Sequence, residues 1–239
     1  MNLVIDIGNT GTKAALFDGK VLVRKERLGS DDPGAVSKFA GSMQIAGAIV
    51  SSVDDDPSEL LSFLGKTITR VHHLTWRSRY PFTIDYDTPA TLGVDRPAAA
   101  AGALDHHPES DILVIDAGSA LTIDLVSGGT FRGGSISPGM AMRFRALHEF
   151  TGRLPLVRYR GGFSFPGRST EDAIAGGVVT GIVYEINEYI RTFEEKHPRL
   201  VTVITGGDGM MIMSRSDRKM FFYPDIVAEG LNFLLDTNV

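Results

Sequence analysis

Two stretches of the chain, "LVIDIGNTGTKAALFDG" (residues 3–19) and "LVIDAGSALTIDLVSGG" (residues 113–129), repeat one pattern at a shift of 110 residues. They share seven of 17 aligned positions, including the aspartate and the first glycine of an Asp-x-Gly turn. Each reads as a buried strand, a tight turn and a second strand. A coincidental match of two β-hairpins is the alternative. We favour a duplicated, bilobal α/β protein whose turns face a ligand.

Composition excludes several classes of function. The formal net charge is -5 and no run of Lys or Arg stands out, which disfavours a nucleic-acid or anionic-membrane surface. The absence of cysteine excludes disulfides, thiolate metal ligands and a cysteine nucleophile, and it fits a reducing compartment. We see no cleavable N-terminal segment and no apolar run long enough to span a bilayer, so we expect a cytoplasmic protein.

Local patterns predict elements that alternate along the chain. Asp18-Gly19 between two apolar runs predicts a hairpin, so the chain should begin with a three-stranded antiparallel meander. Small residues beside an isoleucine-rich stripe on the longest predicted helix would let another helix approach closely. The other predicted elements are strands at 45–53 and 201–205 and helices at 95–104, 169–195 and about 225–236.

The first turn has the chemistry of a phosphate site. Gly8 allows a ligand to approach the backbone, and the amides from Gly8 to Thr12 can point at phosphate oxygens. Thr10 and Lys13 add a hydroxyl and a cation. Asp6 can hold Mg²⁺ directly or through water, since this ion prefers oxygen ligands. An ordinary hairpin with an Asx-type turn is the alternative.

Other nucleotide and metal signatures are missing. "LGKT" (64–67) resembles the end of a Walker A motif, but Leu60 stands where the first glycine is needed. The histidine pairs at 72–73 and 106–107 lack the spacing and companions of a zinc site.

A series of motifs then resembles a known family. The repeated turns resemble those of the sugar kinase, Hsp70 and actin superfamily, which binds ATP between two RNase H-like lobes. "YDTPATLGVDRPAAAAGA" (86–103) fits Y-x-x-P-x-x-x-G-x-D-R, and "DAGSALTIDLV" (116–126) fits D-x-G-T-A-x-T-x-D apart from one serine. Together the motifs are similar to those of type III pantothenate kinases, the first enzymes of coenzyme A synthesis in many bacteria. The motifs that follow in the expected order are "GGSISPGM" (133–140), "RLPLV" (153–157), "GRSTEDAIAGG" (167–177) and "TGGDG" (205–209).

The resemblance implies an α/β fold of two RNase H-like (actin-like ATPase) lobes with a nucleotide cleft between them. The lobes would comprise residues 1–110 and 111–239. The implied reaction is ATP-dependent phosphorylation of pantothenate to 4′-phosphopantothenate. Two alternatives stay open: a non-enzymatic regulator resembling the Bvg accessory factors, and a kinase that acts on a sugar or another small alcohol.

The resemblance also assigns roles to residues. Asp95 would be the catalytic base, and Asp116 would hold a monovalent cation, K⁺ or NH₄⁺. The family is dimeric, so Thr170 would reach pantothenate bound by the neighbouring subunit. The implied ATP site comprises Asp6, Ile7, Gly8, Asn9, Thr10, Gly11, Thr12, Lys13 and Ser119. The implied pantothenate pocket comprises Tyr86, Gly93, Val94, Asp95 and Arg96, with Thr170.

Two positions depart from the family pattern. Ser119 replaces a threonine, which keeps the hydroxyl and loses a methyl group, so we expect ATP binding to survive. Arg168 stands where lysine is common, which keeps the charge and changes the shape of the donor.

Overall fold

A computed structural model describes residues 1–8, 10–53 and 56–239. Within those residues the chain divides into two compact units. The first contains Met1–Glu109, Gly128–Gly133 and Asp225–Val239, and the second contains Ser110–Ser127 and Gly134–Pro224. None of the helices in the described ranges is both long and apolar enough to cross a membrane.

The first unit is built on a five-stranded mixed sheet. Its strands are β1 (Asn2–Gly8), β2 (Gly11–Asp18), β3 (Val21–Leu28), β4 (Gly47–Ser52) and β5 (Arg70–His73). The order is β3-β2-β1-β4-β5, with β1 to β3 antiparallel and β4 and β5 parallel to β1. The predicted meander is therefore present. The central strands β1 and β4 are buried apolar runs, whereas the edge strand β3 is largely exposed and charged, which discourages further strand pairing.

Three α-helices, a 3₁₀ helix (Pro89–Thr91) and one short strand are also found among the described residues of the N-terminal part of this unit. The α-helices and the strand are α1 (Pro33–Ala40), α2 (Ser58–Leu64), β6 (Thr83–Ile84) and α3 (Asp95–His106). Asp32 caps α1 by accepting hydrogen bonds from the amides of Gly34 and Ala35, 2.8 and 3.0 Å away. The helix predicted over 95–104 corresponds to α3, which is rich in buried alanine.

The second unit repeats the same strand order. Its strands are β7 (Asp111–Ala117), β8 (Ala120–Ser127), β9 (Thr130–Pro138), β10 (Leu200–Thr205) and β11 (Phe221–Phe222). The order is β9-β8-β7-β10-β11, so the antiparallel hairpin and the added parallel strands recur in sequence order. The duplicated sequence pattern thus corresponds to a duplicated topology. The first residues of β9 belong to the first unit, where they pair with β6.

The helices of the second unit are α4 (Met140–Glu149), α5 (Thr170–Glu194) and α6 (Gly209–Met213). The predicted helix over 169–195 is α5. Every member of its isoleucine-rich stripe is buried in the core of this unit, as the period of four residues predicted. These stripe residues are Ile174, Val178, Ile182, Ile186 and Ile190.

The C-terminal helix, α7 (Ile226–Asn238), belongs to the first unit and packs against α3. A β-carbon on Gly230 would lie 1.9 Å from the Ala98 carbonyl oxygen, and one on Gly102 would lie 2.4 Å from the Ile226 carbonyl oxygen. Glycine at both positions therefore allows the helix backbones to meet. The sequence-based division placed all residues from 111 onward in one lobe, because the repeat reveals where a half begins and not which sheet its last helix covers.

Candidate active site

Asp6 lies near the end of β1 between two polar neighbours. Strand register pairs it with Lys13 on β2 and with Ser51 on β4. Residues paired across a sheet project from the same face. The Lys13 Nζ atom lies 4.0 Å from Oδ2 of Asp6, and the Ser51 hydroxyl donates a hydrogen bond of 2.9 Å to Oδ1. The register therefore places a different polar group beside each carboxylate oxygen.

The environment of Asp6 suits a bound cation. Burial raises the pKa of its carboxyl group, while the Lys13 ammonium and the Ser51 hydrogen bond lower that pKa. The carboxylate of Asp95 raises the pKa of Asp6 as well, so two acidic groups of the first unit interact electrostatically. A buried carboxylate oxygen is chemically suited to Mg²⁺.

The first turn combines exposed and buried positions. Gly11 has a φ of 128°, a conformation that side chains rarely adopt, and Thr10 beside it is exposed. Ile7 and Thr12 are 5% and 4% exposed, so their side chains belong to the sheet core and a ligand would meet their backbone. Asn9, which was also predicted to bind ATP, lies outside the described residues.

Asp95 is the first residue of α3, and Val94 occupies the N-cap position before it. Oδ1 of Asp95 accepts a hydrogen bond of 3.0 Å from the backbone amide of Arg96. A β-carbon on Gly93 would lie 2.7 Å from the same oxygen. Glycine thus leaves space for the carboxylate, which explains the G-x-D part of the motif in steric terms.

Tyr86 and Arg96 form a second contact within the first unit. The Arg96 guanidinium carbon lies 5.8 Å from the centroid of the Tyr86 ring, and this arginine is only 6% exposed. Gly133, with a φ of 72°, approaches the ring so closely that a β-carbon would lie 2.9 Å from it. Sequence analysis assigned Gly133 no role, although it is the first residue of the "GGSISPGM" motif.

The second turn surrounds Asp116 with glycine. A β-carbon on Gly206 would lie 2.6 Å from Oδ1 of Asp116, and one on Gly118 would lie 3.1 Å from it. Gly206 has a φ of 87° and opens the glycine pair of "TGGDG". Ser119 follows Gly118 and is exposed. The motif at 205–209 therefore packs directly on the second Asp-x-Gly turn.

Two further residues border this turn. The backbone amide of Gly139 donates a hydrogen bond of 3.2 Å to the Ser119 carbonyl oxygen, and the amide of Asp208 donates one of 3.1 Å to the Ala117 carbonyl oxygen. Burial raises the pKa of the Asp208 carboxyl group. Sequence analysis gave neither residue a role, and the signal that could have found them is their place in the motifs "SPG" and "GGD".

A family model described as type III pantothenate kinase matches residues 2–192. The chain belongs to the type III pantothenate kinase family. It is 41% identical over 239 residues to a type III pantothenate kinase of Bacteroides fragilis, with 100% of this chain and 98% of that one covered.

Solved structures support the fold. A Campylobacter jejuni protein assigned to the Baf family of transcriptional activators matches with a TM-score of 0.66 at 23% identity, covering 98% of each chain. A ROK family protein from Streptococcus pneumoniae, solved with sucrose, matches with a TM-score of 0.55 at 12% identity and the same coverage. Together with the two mixed sheets, these likenesses confirm the predicted α/β class and the actin-like ATPase fold.

The remaining residues singled out from the sequence lie in the second unit. Thr170 is the first residue of α5 and is exposed. Ser169 before it caps the helix, because its hydroxyl accepts a hydrogen bond of 3.1 Å from the backbone amide of Asp172. Arg168 is exposed as well. These side chains are thus accessible on the surface of their own chain.

Within the described ranges, no group of three or more His, Cys, Asp or Glu residues is assembled as a metal site. A single carboxylate can bind a cation together with carbonyl, hydroxyl, water or phosphate oxygens. Mg²⁺ commonly binds to kinases in this manner, through one or two carboxylates and the phosphates of the substrate. The carboxylates of Asp6 and Asp116 are chemically compatible with such binding.

Proposed function

We propose that this chain transfers the γ-phosphoryl group of ATP to the 4′-hydroxyl of pantothenate, producing ADP and 4′-phosphopantothenate. Family membership supports this reaction. The observation that carries it is the match of residues 2–192 to the type III pantothenate kinase family model, with the predicted base, Asp95, at the start of α3 in the same unit as Asp6. A carboxylate that accepts the proton of the alcohol and a carboxylate that holds the metal ion of ATP would each assist phosphoryl transfer.

The proposed role of Asp95 is to orient the hydroxyl of pantothenate and to accept its proton. The hydroxyl oxygen attacks the γ-phosphorus, the bond between that phosphorus and the β–γ bridging oxygen breaks, and ADP leaves. Because the transition state of phosphoryl transfer is loose, proton removal can be late and positioning contributes most. The hydrogen bond from the Arg96 amide and the space left by Gly93 hold the carboxylate for this task.

The first turn is the proposed binding site for the phosphates of ATP. The side chain of Lys13 is 70% exposed although it faces Asp6, so its ammonium can reach a phosphate oxygen. The open position of Thr10 suits a ligand as well. Mg²⁺ bound with ATP would neutralise part of the phosphate charge. Asp6 is the residue that would hold this ion, through a water molecule. Ser119, on the second turn, is proposed to contact ATP through its hydroxyl.

The contact between Tyr86 and Arg96 supports the proposed pantothenate pocket, which also includes Gly93, Val94 and Asp95. Arg96 provides a cationic group that can form paired hydrogen bonds with the carboxylate of pantothenate. The Tyr86 ring covers one side of the guanidinium and restricts its orientation. A sugar lacks a carboxylate, so this pocket favours pantothenate over the sugar alternative.

Three finer proposals accompany this reaction. Asp116 holds a monovalent cation, because a single carboxylate suits a weakly charged ion better than calcium.

The chain forms a homodimer in which Thr170 contacts pantothenate in the neighbouring site. A β-carbon on Gly177 or Gly181 of α5 would meet no described atom within 4 Å beyond its chain neighbours and the backbone of its own helix, which leaves space for a partner helix. We place the reaction in the cytoplasm, where ATP is supplied.

The test is ADP release from Mg·ATP with and without pantothenate, using glucose and N-acetylmannosamine as alternative acceptors and mass spectrometry of the product. We expect ADP release to depend on pantothenate and to yield a singly phosphorylated product. Turnover with a sugar alone would favour the sugar kinase alternative. No turnover with any acceptor, at saturating Mg²⁺ and K⁺, would favour a non-enzymatic regulator.

A further inference from the structure

Ser51 is a buried hydroxyl residue in direct contact with the predicted phosphate site. It is 0% exposed, and its Oγ lies 2.9 Å from Oδ1 of Asp6 and 3.5 Å from the carbonyl oxygen of Ile5. Since a serine hydroxyl has one proton to donate, the shorter contact with the charged acceptor is the stronger hydrogen bond. Ser51 therefore directs its proton at the carboxylate.

Packing within β4 does not explain why residue 51 is polar. The preceding residues of β4, Ala48 to Val50, are apolar and fully buried, and β-branched apolar side chains suit such a strand. Burying a hydroxyl is unfavourable unless it forms a hydrogen bond. The compensating bond is the one to Asp6, so the two residues are stabilised as a pair.

The pair controls the orientation of the carboxylate. The ammonium of Lys13 lies 4.0 Å from the other oxygen, which is beyond hydrogen-bond distance, and its side chain is 70% exposed. A mobile surface cation constrains a carboxylate weakly, whereas a fully buried hydroxyl at 2.9 Å constrains its rotation. Ser51 is thus the better placed of the two neighbours to keep Asp6 in one orientation.

The second half of the molecule repeats the strand register. Asp116 occupies the position equivalent to Asp6, and its partner in the parallel register is Thr205 of β10. Thr205 is 3% exposed. In both halves, therefore, a buried hydroxyl residue stands beside the turn aspartate on the neighbouring parallel strand. Two separate strands thus place a hydroxyl residue at the register position of the turn aspartate.

We propose that Ser51 is a positioning residue that orients the Asp6 carboxylate toward Mg·ATP. The inference rests on the proposed kinase reaction. Removing the hydroxyl frees the carboxylate to rotate and takes away one charge-assisted hydrogen bond. We expect Ser51→Ala to lower kcat/KM for Mg·ATP by about 10-fold and to raise the Mg²⁺ concentration that gives half-maximal rate.

The experiment compares Ser51→Ala with Ser51→Thr and Ser52→Ala in the full chain. Threonine keeps the hydroxyl and occupies the equivalent position of the second half, so Ser51→Thr should retain turnover within about 3-fold of wild type. Ser52 follows on β4 and faces the other side of the sheet, which makes Ser52→Ala a control for the same atomic deletion. We expect the KM for pantothenate to change little in all three variants.

A double-mutant cycle separates positioning from simple packing. If Ser51 acts through Asp6, then adding Ser51→Ala to Asp6→Ala should lower kcat/KM by less than about 2-fold, because the group being oriented is already gone. A packing role would give the same loss in both backgrounds and would overturn the proposal.

The failure of this inference is distinguishable from the failure of the proposed reaction. Wild-type protein without pantothenate-dependent ADP release would refute the reaction itself. An active wild type with Ser51→Ala at unchanged kcat/KM and unchanged Mg²⁺ dependence would refute the role of Ser51 alone. Loss of activity in Ser51→Thr equal to that in Ser51→Ala would also overturn it.

Discussion

Gly139 lies so close to Gly118 that a β-carbon at position 139 would come 2.2 Å from the Gly118 carbonyl oxygen. The same β-carbon would lie 2.6 Å from the carbonyl oxygen of Ser119. Because backbone atoms are the obstacles, they cannot move aside as a flexible side chain could. Gly139 therefore determines how closely the start of α4 approaches the second Asp-x-Gly turn, on which the proposed roles of Asp116 and Ser119 depend.

Gly139→Ala should displace the second turn and weaken ATP binding. We expect a loss of about 1–3 kcal/mol in the free energy of unfolding from overpacking, with a raised KM for ATP. Gly152→Ala is the matched control, because a β-carbon there would meet no described atom within 4 Å. Denaturant unfolding and ATP titration check both variants. Equal behaviour of the two would contradict the proposed contact.

Asp95→Asn should fold normally and lose turnover. The substitution keeps the size of the side chain and removes the proton acceptor, and loss of a general base typically lowers kcat by about 10² to 10⁴. Asp87→Asn, which alters an exposed carboxylate in the preceding loop, should keep wild-type turnover. Steady-state ADP release measures both, with circular dichroism as the folding control. More than half of wild-type turnover in Asp95→Asn would exclude Asp95 as the base.

Asp6→Asn should be more thermostable than wild type at neutral pH in the absence of ligand. Burial raises the pKa of Asp6 in the folded state above its value in the unfolded chain. Asp6 therefore contributes fully to the free energy of unfolding at a pH below the unfolded-state pKa, and this contribution is lost as pH rises through the folded-state pKa. Asparagine cannot ionise and avoids that loss. Thermal unfolding from about pH 4 to pH 8 should show a smaller decline in Tm for the variant.

Asp32→Asn is a control of opposite sign for that experiment. The pKa of Asp32 is lowered by hydrogen bonds from the Ser30 hydroxyl and from the amides of Ala35 and Gly34. Its contribution to stability is therefore present above the unfolded pKa and is lost as pH falls through the folded pKa. The Tm of Asp32→Asn should therefore decline less than that of wild type at acidic pH, with no matching change as pH rises. If the Tm of Asp6→Asn lay below that of wild type at every pH of the series, the proposed effect of burial on Asp6 would be contradicted.

A homodimer that shares its substrate sites should show complementation between inactive variants. Thr170→Ala and Asp95→Asn should each have low turnover, and mixing them under subunit exchange should restore roughly a quarter of the wild-type sites. Half of the dimers would be mixed, with one intact site of two. Light scattering establishes the oligomeric state. An active monomer would contradict the shared sites, as would mixed variants that stay inactive.

Potassium dependence tests the proposed role of Asp116. At saturating Mg²⁺, we expect low turnover in Tris or sodium buffer and recovery as K⁺ or NH₄⁺ is added. Asp116→Asn should lose most of that response, because the amide carries no charge to bind the ion. Full activity without either ion would refute the site. An unchanged potassium dependence in Asp116→Asn would refute it equally.

The elements of the fold were largely predictable from local patterns. Asp18-Gly19 indicated the hairpin of β2 and β3, and the period of four residues from Ile174 to Ile190 indicated the buried stripe of α5. Such signals depend on residues near each other in sequence, where backbone preference and burial repeat at a fixed period. The family motifs likewise lie in continuous segments. The amino-acid sequence by itself was therefore sufficient to indicate the family.

Only the tertiary structure revealed which distant residues meet. The contact of Ser51 with Asp6 depends on the parallel register of β1 and β4, strands that are separated by β2, β3 and α1. The close approach of Gly230 to Ala98 depends on where the last helix packs, and it assigns α7 to the first unit. Sequence alone determined the repeated Asp-x-Gly turns and supplied the hypothesis about their chemistry, because a turn is encoded by adjacent residues. The groups that surround each aspartate were decided by sheet register and helix packing, because these bring together side chains with no fixed spacing in the chain.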